Sequence, residues 1–94
     1  MADNNPNPRS TQSQREQIKW WFLRNAGKEI TSLDALHRFG CMEFPKRISE
    51  LVADGMAIRR DKFITLPNDK RVKAYYITQE EARQYIAFHK LELR

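Results

Sequence analysis

One segment, TSLDALHRFGCMEFPKRISELVADGMAI from Thr31 to Ile58, constrains the fold more than any other part of the chain. Leu33, Leu36 and Phe39 recur at helical spacing, and so do Phe44, Ile48, Leu51 and Val52. Between the two sets lie Gly40 and Cys41. Glycine reaches left-handed backbone angles without a steric penalty, so Gly40 ends the first helix after about two turns. Pro45 has no N–H and is compatible only with the first turn of a helix. The second helix of the pair therefore starts near Met42 or Glu43, runs to Asp54 and is closed by Gly55. Two short helices joined by a glycine turn form a helix-turn-helix. The expected packing sets Leu33, Leu36 and Phe39 against Ile48 and Leu51. That packing turns Met42, Glu43, Lys46, Arg47, Ser49 and Glu50 outward or beside the outward face.

The flanking segments complete a small domain. Ser13 with Glu16 three residues on fits a capping box for a helix. Ile18, Trp21, Phe22 and Asn25 share one side of it, and Gly27 suits its end. Trp20 lies about 100° from Trp21 around the helix, so it belongs at the core edge or in a contact between copies. A very short strand is expected at residues 28–30, and Thr31 with Asp34 marks the next helix start. From Ile58 to Ile77 the period changes to two, interrupted by the turn residues Pro67, Asn68 and Asp69. That is a β-hairpin with a basic tip. Thr78 and Glu81 form a second capping box, opening a last helix over residues 78–91 that carries Ala82, Tyr85, Ile86 and His89.

The fold class expected is α+β, mainly α: a three-helix core, a hairpin wing and an additional C-terminal helix. The domain occupies residues 13–94. Residues 1–12, rich in Asn and Pro with almost nothing to bury, are expected to be a flexible tail.

Composition limits the functions available. The chain has 94 residues, enough for one domain. No apolar run is long enough to span a bilayer, and the N-terminus has no apolar signal region. A single cysteine makes no internal disulfide, which fits a reducing, cytoplasmic setting. Cys41 and His37 are too few ligands for a zinc site. Three glycines supply no phosphate-binding loop. No cofactor, metal or catalytic group is therefore expected. The net charge of +5 is concentrated in residues 41–77, which hold eight basic and five acidic side chains. A basic domain attracts polyanions by counterion release.

With these residues in place, the segment ITSLDALHRFGCMEFPKRISELVADGMAI followed by KRVKAYYIT resembles the small winged helix-turn-helix family of bacteriophages and mobile elements. The matching positions are Ala35, Leu36, Phe39, Gly40, Cys41, Arg47, Ile48, Leu51, Gly55, Ile58, Arg71, Tyr75 and Ile77. The chain departs from the family pattern at Phe44-Pro45. The resemblance implies double-stranded DNA binding without catalysis, in regulation of transcription or of recombination direction. On that reading helix 43–54 enters the major groove and wing 58–77 meets the backbone. Met42, Glu43, Lys46 and Glu50 are the base-edge candidates. Arg47 borders the apolar stripe, where it serves either as a DNA contact or as a packed stem with a buried ion partner. Lys70, Arg71 and Lys73 would reach phosphates or a minor groove. Thr31 and Ser32, at a helix N-terminus, would meet a phosphate. A homodimer through Trp20, Tyr85, Phe88 and Leu91 is a further expectation. The competing expectation is a winged-helix protein-interaction module, such as a phage-encoded inhibitor or adaptor of a host complex.

Overall fold

The computed structural model describes residues 11–91. The first ten residues of the expected tail lie outside the described residues. The elements run α1 (Thr11–Arg24), β1 (Ile30–Thr31), α2 (Ser32–Phe39), α3 (Phe44–Ala53), β2 (Arg59–Thr65), β3 (Arg71–Tyr76) and α4 (Gln79–His89). The mainly α architecture with a hairpin wing and a fourth helix is the one expected.

Ile18, Phe22 and Leu23 of α1 are buried, with Trp21 packed beside them. Ser13 lies inside α1, so it does not cap it. Polar sequence before Ser13 conceals two further helical residues, because a first turn needs no apolar anchor. Gly27 adopts a φ of +94° and donates its N–H to the Ile77 carbonyl at 2.8 Å. That bond ties the end of α1 to the strand leaving the wing.

The three strands form an antiparallel sheet in the order β1-β3-β2. β1 covers Ile30 and Thr31 rather than residues 28–30. Between β2 and β3, Thr65 pairs with Arg71, Phe63 with Lys73 and Lys62 with Ala74, while Arg59 pairs with Tyr76. Arg60 and Asp61 therefore face the single residue Tyr75, which is a bulge that bends β2. At the tip, Asp69 donates its N–H to the Leu66 carbonyl at 2.9 Å and adopts a φ of +65°. Leu66 in turn donates to Lys70 at 2.7 Å. Pro67 occupies the second turn position, where its fixed φ is suitable, and Asp69 tolerates the left-handed position after it.

The core is continuous from α1 through α3 to the sheet. Ile18, Phe22, Ile30, Phe44, Ile48, Leu51, Met56 and Ile77 are all essentially inaccessible. Phe44 stacks on Phe22 at 6.5 Å and meets Tyr75 edge-on at 5.0 Å. Both geometries suit aromatic quadrupoles.

Two packing expectations need correction. Leu33 is 57% exposed and Leu36 40% exposed. The residue of α2 that enters the core is Ala35, with Phe39 half-buried one turn later. Thr31, Ala35 and Phe39, spaced by four, form the inward line, and a small Ala at its centre lets α2 approach closely. The second correction concerns the expected contact between copies. Tyr85 is buried, and Trp20 and Leu91 pack against the core, so only Phe88 of that set stands clear, 83% exposed.

Candidate nucleic-acid interface

The interface candidate is built from α2, the turn, α3 and the wing. Thr31 caps α2 with a complete capping box. Its hydroxyl accepts from the Asp34 N–H at 3.2 Å, and the Asp34 carboxylate accepts from the Thr31 N–H at 3.0 Å. Gly40 ends α2 in the left-handed conformation at φ 66° and donates to the Leu36 carbonyl at 2.9 Å. Its own carbonyl accepts from Gln14 Nε2 at 3.1 Å, so α1 holds the turn. A few residues later the chain enters α3.

Phe44 is the first residue of α3 and Pro45 the second, with Glu43 as a cap that makes no side-chain bond. Met42 thus precedes the helix, 86% exposed. The helix ends in a Schellman arrangement: Met56 donates to Leu51 and Gly55 to Val52, both at 3.0 Å. The hydrophobic contact expected of that motif is available, because Leu51 and Met56 are both buried.

The outward surface of α3 carries Pro45, Lys46, Ser49 and Ala53, with Met42 and Glu43 at its leading end. Arg47 is not part of it. Its side chain is inside, only 5% of the residue being exposed. Arg47 Nη2 lies 3.1 Å from one Glu50 oxygen, while Arg15 Nη1 of α1 lies 3.3 Å from the other. Arg47 Nε is buried without a partner among the described residues. This Arg–Glu–Arg bridge joins α1 to α3 and occupies the Glu50 carboxylate. Of the two alternatives left open for Arg47, the packed stem with an ion partner is the one observed, the partner Glu50 being partly exposed. The helical period does not separate them, since position 47 sits at the stripe's border.

Burial pushes the Cys41 thiol up, against smaller opposing effects from the Glu43 backbone N–H and the Arg47 charge. Cys41 therefore stays a neutral thiol at physiological pH and lacks the character of a nucleophile. Among the described residues, no group of three or more His, Cys, Asp or Glu side chains is placed to hold a metal ion. No helix of the described residues is long and apolar enough to cross a membrane.

The wing faces follow from the strand register. Directly paired residues share a face and successive residues alternate. Phe63, Thr65, Arg71 and Lys73 lie on the face that also bears Tyr75 and Ile30. Tyr75 meets Phe44, so this face continues outward from the start of α3. The Arg71 guanidinium sits over the half-exposed Phe63 ring at 4.9 Å. On the opposite face, Lys62 pairs with Glu29 at 2.6 Å and lies over Tyr76 at 5.1 Å. Arg59 makes a two-point contact with Glu81, at 3.2 Å and 2.9 Å.

The winged helix-turn-helix domain family matches residues 13–81, which is most of the chain and every element from α1 to the start of α4. This chain belongs to the winged helix-turn-helix domain family. Comparison with the curated proteins and with the solved structures gave no match.

Within this winged helix-turn-helix domain the sequence-predicted site residues divide into two groups. Met42, Glu43, Lys46, Ser32, Lys70, Arg71 and Lys73 are exposed. Thr31, Arg47 and Glu50 are engaged internally: Thr31 in its cap, Glu50 between two arginines, Arg47 in the core. Phe63 joins the wing face although the strand pattern did not single it out. A signal is nevertheless there, because Phe63 falls out of phase with Ile64 and Leu66, on the opposite strand face.

Proposed function

We propose that this domain binds double-stranded DNA without catalysing a reaction. Met42, Glu43, Lys46 and Ser49 approach base edges in the major groove, whose width admits a helix. Lys70, Arg71 and Lys73 contact the backbone beside it, and Ser32 at the start of α2 contacts a phosphate. The single observation that carries the reading is the Phe44–Tyr75 ring contact. It couples the first turn of α3 to the strand face bearing Arg71 and Lys73, which supports a duplex reaching both.

Membership of the winged helix-turn-helix family and a net charge of +5 support it further. Regulation of transcription or of recombination direction in a phage or mobile element is the role we infer from the resemblance of the helix-turn-helix segment. Burial pushes the Cys41 thiol up, which argues against a nucleophilic role for it and supports the reading of binding without catalysis. Docking on a host protein complex is the second reading. It is favoured by one observation: Lys46 is the single cation on the outward surface of α3 among the described residues.

Fluorescence anisotropy of the full chain with a labelled duplex, across a salt series, tests the first reading. With three to five phosphate contacts, log K falls against log salt with a slope of about −3 to −4.5. Absence of binding at about 50 mM salt, where such contacts are strong, overturns it.

A further inference from the structure

β1 stops after Thr31 because Ser32 opens α2, yet β3 continues outward to Arg71. Thr31 pairs with Ala74, so β3 loses its neighbour on that side from Lys73 outward. The direction of the free backbone groups follows from the hairpin. Leu66 donates to the Lys70 carbonyl, which makes Leu66–Lys70 a hydrogen-bonded pair. Alternation then turns the N–H and C=O of Lys70, Val72 and Ala74 toward β2, and those of Arg71, Lys73 and Tyr75 toward β1. Tyr75 is paired with Ile30. The backbones of Arg71 and Lys73 have no strand partner on that side among the described residues.

That edge is not bare. A mostly apolar groove of about 280 Å³ runs along it, lined by Thr31, Ser32, Leu33, Leu66, Val72 and Lys73. Leu33 is the leucine that the packing of α2 left 57% exposed, and it forms one wall. Register puts Leu66 and Val72 on one strand face with Lys70 beside them, opposite to the face bearing Arg71. The other outer strand differs. β2 carries a bulge at Arg60-Asp61 and a charged run, Arg59 to Lys62, which are devices that discourage edge pairing.

We propose that this groove receives an extended, acidic peptide segment of a partner protein as an added strand in line with β1. Backbone groups of the incoming segment pair with Arg71 and Lys73. Its alternate aliphatic side chains enter between Leu33, Leu66 and Val72, as strand addition at an open edge requires. Charge selects the occupant. Lys73 lines the groove, register sets Lys70 on the strand face of Leu66 and Val72, and Arg71 lies at the same edge. Asp34 is nearby but its carboxylate is engaged by the Thr31 N–H. A second copy of the chain would bring its own Lys70, Arg71 and Lys73 against these, which like-charge repulsion disfavours. An acidic strand neutralises them. The aliphatic wall of Leu66 and Val72 lies on the strand face opposite Arg71, but Lys70, Arg71 and Lys73 are shared with the proposed duplex contacts, so the acidic segment and a duplex compete for them.

The test is a titration of ¹⁵N-labelled full-length chain with the synthetic peptide acetyl-Glu-Val-Glu-Val-Glu-amide, followed by amide chemical shifts. Expected are saturable changes centred on Ser32, Leu33, Leu66 and Arg71–Lys73. The matched Lys-Val and Glu-Ser peptides bind at least about tenfold more weakly, a factor equivalent to about 1.4 kcal/mol. Lys73→Pro removes an edge-facing N–H without touching the β2 ladder, and weakens binding similarly, whereas Lys73→Gln has a smaller effect. Leu33→Asp, at an exposed position, abolishes binding while circular dichroism stays unchanged, and carries the test if Lys73→Pro disturbs the fold. Equal binding of the Lys-Val peptide, shifts centred on α3, or shifts at these amides with duplex DNA but not with the acidic peptide overturns the proposal.

Discussion

Tyr85 donates its hydroxyl hydrogen to Asp54 Oδ2 across 2.7 Å, joining α4 to the residue that caps the C-terminus of α3. Burial and the facing carboxylate push the Tyr85 phenol far above its ordinary value of 10.0. The folded state therefore keeps a proton that the unfolded chain releases from about pH 10 upward. This contribution to stability is complete below about pH 10 and is lost progressively as pH rises beyond it. Tyr85→Phe is expected to flatten that alkaline fall and to cost about 1 kcal/mol at neutral pH. Urea unfolding at a series of pH values measures both; an unchanged alkaline limb contradicts the assignment.

The acidic limb has a different source. Arg59 lowers the Glu81 carboxyl below its ordinary value of 4.5, helped by the Thr78 backbone and hydroxyl. A depressed carboxyl stabilises the fold above the unfolded value, and the contribution fades as pH drops below about 4.5 toward the folded value. Glu81→Gln should make stability less dependent on pH in that window. Because Arg59 is well exposed, salt should weaken the effect.

Removing opposite partners of the Arg47–Glu50 pair, its arginine buried and its glutamate partly exposed, should have unequal consequences. Glu50→Ala leaves the Arg47 guanidinium buried without its counter-charge, at a cost of about 1–3 kcal/mol. Arg47→Met removes the charge that needs compensation and fills similar space, so it should be far milder. Denaturant midpoints with equal m-values measure the comparison. A larger destabilisation by Arg47→Met contradicts the argument.

The orientation of α2 is open to a similar comparison. Leu33→Ser alters an exposed side chain and should stay within about 0.5 kcal/mol of the parent. Ala35→Leu forces a larger side chain into the line between Thr31 and Phe39, with a cost of about 1–3 kcal/mol. Thermal melts of both variants should show that order.

For the duplex interface, paired charge reversal at Arg71 and Lys73 should weaken binding to every sequence and reduce the salt slope by about 0.9 for each phosphate no longer neutralised. Lys46→Ala, on the outward face of α3, should discriminate among sequences, with a cost of about 1–3 kcal/mol at a base that Lys46 reads. Anisotropy against specific and scrambled duplexes separates the two patterns. A uniform weakening by Lys46→Ala would assign Lys46 to the backbone instead.

Much of this arrangement is legible in residue order. Gly40, Pro45 and Gly55 place the breaks around α3 because each has a backbone preference that no neighbour overrides. Thr31 and the Thr78–Glu81 box mark two helix starts through local hydrogen bonding, and Pro67-Asn68-Asp69 marks the wing tip. The candidate site is legible in part: Lys46, Arg71 and Lys73 are exposed, whereas Arg47 and Glu50 are engaged internally. Period alone assigns a residue to a side of a helix, and Leu33 shows its limit. Leu33, Leu36 and Phe39 form a plausible stripe, yet the cap at Thr31 and the close approach at Ala35 rotate α2 by about one position.

By itself, the sequence determined where α2 and α4 begin and where α2 and α3 end, because capping, proline and glycine act over three or four neighbouring residues. Tertiary structure alone decided which groups face water. It paired Glu50 with arginines on two helices, buried Tyr85 against Asp54, and left the Arg71–Lys73 edge uncovered beside Leu33. Each of those outcomes depends on residues distant in the chain meeting in space, and burial, unlike local conformation, is a property of the partners a side chain finds.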